Sequence, residues 1–325
     1  MAETHEHEAV TKAFSGLGID EKALISILGR WKHEHKHSYR QGTRDMFIPD
    51  ERQFEKFHED QVARITHEIL RFKIALFLAI NFVVNAVVLW AMHPWERDAR
   101  FVKEALTGRE ASNVIIEIAC TRSADELLGA RKAYHSLFDH SIEEDVASHV
   151  RGHERKLLVS LVSAYRYEGP RVREDVAKSE ANELHQAIKN AGKKFPAEDD
   201  EVVRILSTRS KLHIKSVYKH YKELFGTYLD QDLQGDFNSS LRAAVLCLCA
   251  PEVYFSEALD AALKKGADEF TQQALTRVIV CQADVNMKDI KDAYHQKYGV
   301  QLTQKIEETA QGNYKDLLLT LLARD

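Results

Sequence analysis

Apolar residues return at every third or fourth position through most of this chain, the spacing of amphipathic helices. VIIEIACTRS (114–123), VVRILSTRS (202–210) and LTRVIVCQA (275–283) are apolar runs that each end in a polar turn. An amphipathic stretch follows each: ELLGARKAYHSLF, LHIKSVYKHYKELF and MKDIKDAYHQKY. Arg122, Arg209 and Gln282 stand 87 and 73 residues apart, and Tyr134, Tyr221 and Tyr294 keep the same offsets, as do Phe138, Phe225 and Tyr298. Three coincident offsets are the mark of an internal repeat, in which each copy buries its apolar face against its neighbours.

Each copy closes with a further apolar helix, KLLVSLVSAY (156–165), LRAAVLCLC (241–249) or YKDLLLTLLA (314–323). Pro170 and Pro251 follow the first two, and Pro94 follows VVLWAMH in the same way; proline there stops one helix and opens the next repeat. The pattern predicts an all-α protein of four repeats. Its parts are a tail over 1–12, repeats over 13–97, 98–168, 182–250 and 257–325, and a linker over 169–181. The first repeat is too long. One excess lies in the His- and Lys-rich stretch 31–59, the other in Ile74–Met92, a run of 19 residues without a charge. By length that run is a membrane-span candidate. It overlaps the expected closing helix, however, and a crossing would break the repeat, so a core helix with an insertion near 73–84 is the favoured reading.

Composition changes the picture only at the margins. With 44% hydrophobic and 29% charged residues the chain can bury a core, and only 14 Gly and 5 Pro weigh against a turn-rich β fold. Net charge is −5 with no long Lys/Arg block, which disfavours nucleic acid and a polybasic membrane anchor. Protonating all 16 histidines would reverse the sign of that charge, so anion binding could be pH-dependent. Four cysteines without a CxxC pair read as reduced, cytosolic usage. Met1–Val10 has no apolar core, so no signal peptide is expected. Alternating histidines at 5–7 and 33–37 are a weak zinc signal, and Asp232-Leu233-Gln234-Gly235 lacks any accompanying phosphate loop. No hydrolase or metalloprotease motif is present, and no enzymatic activity is expected.

AFSGLGIDEKALISILG (13–29), WAMHPWERDA (90–99), CTRSADELLGARKAYHSLF (120–138) and GNYKDLLLTLLARD (312–325) together resemble the annexins, the plant branch in particular, over nearly the whole chain. The resemblance implies four five-helix repeats forming a curved disc that binds acidic, phosphatidylserine-like phospholipid through Ca2+, peripherally and from the cytoplasm. A homo-oligomer or an actin contact on membranes is also compatible with it. Ca2+ takes about six to eight oxygens, so loop carbonyls with one carboxylate suit it. The family's loop carbonyls fall on Phe14, Gly16 and Gly18. Its distant carboxylate falls on His58 by direct counting, a poor ligand for a hard cation, and on Glu68 when counted back from Phe72; Glu68 is the expected ligand. Loops two and three are degenerate. Loop four keeps Gly266, with Glu308 as a weak carboxylate. The family's central charged cluster maps to Asp98, Glu117, Arg122 and Arg277, either as structural ion pairs or as an ion path. Cys120 and Cys247 fall where plant members carry a redox-linked pair, with buried inert thiols the plainer reading. Two other functions stay open: a helical scaffold for proteins with its calcium sites lost, and acid-driven membrane binding through the histidines.

Overall fold

The computed structural model describes residues 2–14, 20–44, 46–51, 53–54, 82–108, 111–190, 195–235 and 238–324; the side chains of 2–4, 13–14, 111 and 269–270 are outside that description. The described residues are helical, without strands. In chain order the helices are α1 (Ala2–Phe14), α2 (Glu21–Arg30), α3 (His33–Gly42), α4 (Phe82–Ala91), α5 (Pro94–Thr107), α6 (Ala111–Thr121), α7 (Ala124–Phe138), α8 (Ile142–His149) and α9 (Arg155–Ser163). There follow α10 (Glu174–Lys189), a 3-10 turn (Pro196–Glu198), α11 (Asp200–Thr208), α12 (Lys211–Phe225), α13 (Leu229–Asp232) and α14 (Ser239–Cys249). The last five are α15 (Pro251–Ala262), α16 (Glu269–Gln282), α17 (Met287–Tyr298), α18 (Leu302–Thr309) and α19 (Gly312–Leu322).

These fall into successive sets of five, α5–α9, α10–α14 and α15–α19. The first set has α1, α2, α3 and α4 in the first, second, third and last places, and most of the chain between α3 and α4 lies outside the described residues. Residues 2–12, expected as a tail, thus belong to a helix in the place that α5, α10 and α15 occupy in later sets.

Local chemistry marks the repeat. Asp20, Asp199 and Asp268 cap the second helices of the first, third and fourth sets. Ser123 forms a capping box with Glu126 at α7, and Ser210 caps α12. The third helices of sets two to four end in a left-handed residue: Asp139 (φ 59°), Gly226 (φ 79°) and Gly299 (φ 74°). These again stand 87 and 73 residues apart, because a helix that must turn sharply ends best in the αL region.

The chain forms two compact units, Met1–Arg97 with Phe255–Asp325, and Asp98–Tyr254. Each pairs two repeats reciprocally. In the second unit, α6 packs on α14 and α11 on α9, so the second helix of each repeat lies against the last helix of the other. In the first unit, α2 packs on α19 and α16 on α4 in the same way. The described end of the apolar run, 82–92, packs here. Val83, Val84, Ala86, Val87, Val88, Trp90 and Ala91 of α4 are buried, and no described helix is long and apolar enough to cross a membrane. Residues 74–81, and with them nearly all of the expected insertion, are outside the described residues.

Candidate functional site

The turns between first and second helices are where the sequence places calcium. In the first repeat Gly16, Gly18 and Glu68 lie outside the described residues, and Phe14 is described by its backbone alone, as the last residue of α1. Asp20, just beyond that turn, accepts the Ala23 N–H at 3.0 Å. In the fourth repeat the turn is tight: the Ala267 N–H reaches the Lys264 carbonyl at 3.1 Å, and Gly266 holds φ +85°, where a side chain would strain the backbone. Asp268 then caps α16 through the Thr271 N–H at 2.8 Å. Glu308 lies exposed on α18 and accepts from Gln304 at 3.2 Å; no described hydrogen bond ties it to the Gly266 turn. No group of three or more His, Cys, Asp or Glu among the described residues is placed to share a metal ion. A site made chiefly of carbonyls with a single carboxylate does not require such a group.

The predicted ionic residues separate into unlike environments. Arg122 clasps Asp98 with two bonds, Nε to Oδ2 at 2.7 Å and Nη2 to Oδ1 at 2.9 Å, and Asp98 is buried. Glu117 is buried on α6. Arg277 is half-buried on α16 in the other unit. Sequence reading missed a richer hub in the third repeat. Glu180, 1% exposed, accepts from Arg209 Nε at 2.8 Å, from Arg204 at 3.1 Å, and shares a 2.7 Å bond with His213 Nε2. Burial pushes its pKa up, yet the bonds from Arg209 and His213 more than reverse this, leaving it below the usual carboxylate range. Glu6 and Arg30 pair at 2.8 Å in the first repeat. The signal was available: Glu6–Arg30 and Asp98–Arg122 are each separated by 24 positions, and Glu180–Arg209 by 29 because the third turn is longer.

Cys120 and Cys247 sit on the packed pair α6 and α14, both as free thiols. Burial, the largest influence, raises Cys120 to about 11 and Cys247 well above the ordinary thiol value. Thiolate is the nucleophile, so this environment suppresses their reactivity at neutral pH.

The annexin family model matches residues 97–161, 179–248 and 254–321. The chain is 51% identical to annexin D4 of Arabidopsis thaliana, over 100% of this chain and 99% of that one. Among solved structures it is similar to annexin III, with TM-score 0.75, 26% identity and coverage of 100% and 95%. It also shares the fold of a structure titled calcium-bound annexin (Sm)1, with TM-score 0.71, 18% identity and coverage of 99% and 90%. The chain belongs to the annexin family, and its likeness to the Arabidopsis protein is that of a plant-type member. Annexins as a class are calcium-dependent membrane-binding proteins, generally without enzymatic activity. The all-α architecture of four five-helix repeats expected from the sequence is the fold of this family.

Proposed function

We propose that this protein binds acidic phospholipid membranes peripherally when Ca2+ is present. The observation that carries the reading is the family match together with the annexin repeat built by this chain. The Gly266 turn supports the reading by its backbone, with a left-handed glycine and a capped following helix, although its Lys264 and Ala267 carbonyls already accept hydrogen bonds from the Ala267 N–H and Gln272. The ion would enter the first repeat through the Phe14, Gly16 and Gly18 carbonyls and the Glu68 carboxylate, with Gly266 and Glu308 as a weaker second position. Its charge would let a chain of net charge −5 meet an anionic surface. Asp98, Glu117 and Arg122 serve this reading as structural charges. Co-sedimentation with phosphatidylserine vesicles at pH 7.4 tests it. Pelleting with Ca2+ and none with chelator is expected; no pelleting in either would favour the scaffold reading, and pelleting in both would make the contact calcium-independent.

A further inference from the structure

Arg97 is 9% exposed, yet no carboxylate among the described residues pairs with it. Its Nη1 reaches the Leu89 carbonyl only at 3.5 Å, the outer edge of a hydrogen bond, and its buried Nε has no acceptor. A buried guanidinium left in this state is expensive. The nearby carboxylates are engaged elsewhere. Asp284 takes Lys36 at 3.0 Å and Arg324 Nε at 2.7 Å. Glu96, beside Arg97 on α5, accepts the Ile48 N–H at 3.4 Å and lies within electrostatic reach of Arg40.

Positive charge is in excess around one ring. Lys36 Nζ lies 4.3 Å from the centroid of Trp90, and the Arg324 guanidinium 5.0 Å from it. The Trp90 Nε1–H is buried without an acceptor. Burial lowers the Lys36 pKa to about 8; Asp284 opposes this, and Arg97 and Arg324 push it further down. Lys36 and Asp284 retain partial exposure, so the place is open to solvent. We infer that Lys36 and Arg324, which flank Trp90, together with Arg97 of the same unit bind a small oxyanion of the phosphate class. The anion supplies the counter-charge that Arg97 lacks.

The test is thermal unfolding against inorganic phosphate at constant ionic strength, in chelator, for the wild type and Arg97→Met. The wild type gains Tm with phosphate in a saturable way, because a ligand of the folded state stabilises it by mass action. In phosphate-free buffer Arg97→Met matches or exceeds the wild-type Tm, since a costly buried charge is gone, and its phosphate response is at least about tenfold weaker in apparent affinity. Lys36→Met, which leaves Asp284 paired with Arg324, shows the same weakening and covers the case in which Arg97→Met does not fold. Phosphatidic acid vesicles in chelator distinguish the source: an Arg97-dependent response to them names a lipid headgroup, and a response to free phosphate alone names the soluble ion. An equal response in all three proteins, or none in the wild type, overturns the site. So does an Arg97→Met protein less stable than wild type at every phosphate concentration, which would make Arg97 a structural cap.

Discussion

The two units are built on one plan and hold themselves together differently. In the Asp98–Tyr254 unit two buried carboxylates hold cations. Asp98 holds Arg122, and Glu180 holds Arg209, Arg204 and His213. Arg166 donates to the Leu206 and Arg209 carbonyls at the end of α11, and Lys211 to the Thr121 and Arg122 carbonyls at the end of α6. In the other unit Arg324 repeats the first of these caps on the Leu28 and Trp31 carbonyls. There, however, Gln282 stands where the repeat has an arginine, and the seam is filled by Trp31, Tyr39, Phe47, Phe54 and Trp90. One framework of helices thus accepts a seam built on carboxylate–cation pairs or one in which aromatic packing surrounds the Lys36–Asp284–Arg324 cluster. The choice decides how each unit responds to losing a partner or to acid.

The sharpest separation comes from deleting a carboxylate. Glu180→Ala strands Arg209 and His213 and should cost about 3–5 kcal/mol. Glu6→Ala should cost only about 1–2 kcal/mol, because Arg30 is largely exposed and the main loss is the bond to Trp31 Nε1 at 2.7 Å. Urea unfolding of both variants checks the contrast; equal losses would mean that burial of the third-repeat hub does not set its worth.

Acid should act on the aromatic unit through His93. Burial first, and Arg40 next, hold its pKa down to about 4 from an ordinary 6.5. Between those values the unfolded chain binds the proton and the folded one does not. Stability therefore falls as pH drops from 6.5 toward 4, by up to about 3 kcal/mol. Trp31, Trp90 and Trp95 all belong to this unit, so tryptophan fluorescence across an acid titration follows it selectively. His93→Asn should flatten that pH dependence, and an unchanged profile would remove His93 from the account.

A smaller effect concerns the shared framework. Gly226→Ala places a side chain at φ +79° with no atom within 4 Å of the new Cβ. The expected loss of about 1 kcal/mol is then purely conformational. An unchanged Tm would show that the third-helix stop is not held by its glycine.

Much of this was legible in the chain. The offsets of 87 and 73 residues gave the repeat, and they recur in the left-handed stops at Asp139, Gly226 and Gly299, which sequence reading had passed over. Tyr134 and Tyr221 do share a role, donating to Asp145 at 2.5 Å and Asp232 at 2.8 Å; Tyr294 turns instead to Asp260 at 3.2 Å. That change of partner is written in the chain: Asp145 and Asp232 are followed at the repeat offset by Lys305, which cannot accept the tyrosine proton. The first helix was hidden because its apolar face is thin, with four acidic or basic residues and two histidines along it and Val10 the buried residue among its described side chains. Pairs such as Glu180–Arg209 escaped because a charge run and a buried hub look alike until the fold brings the partners together. The calcium loop is read from Gly16 and Gly18, and its test is chemical.

That loop is tested most directly by the calcium concentration needed for half-maximal pelleting with phosphatidylserine vesicles, measured for the wild type, Glu68→Gln and Glu308→Gln. Glu68→Gln should demand at least about tenfold more Ca2+, the loss of about 1.4 kcal/mol, while Glu308→Gln moves little. A wild-type protein that pellets equally well in chelator, or never pellets, would contradict calcium-dependent membrane binding; three identical curves would contradict Glu68 as its ligand.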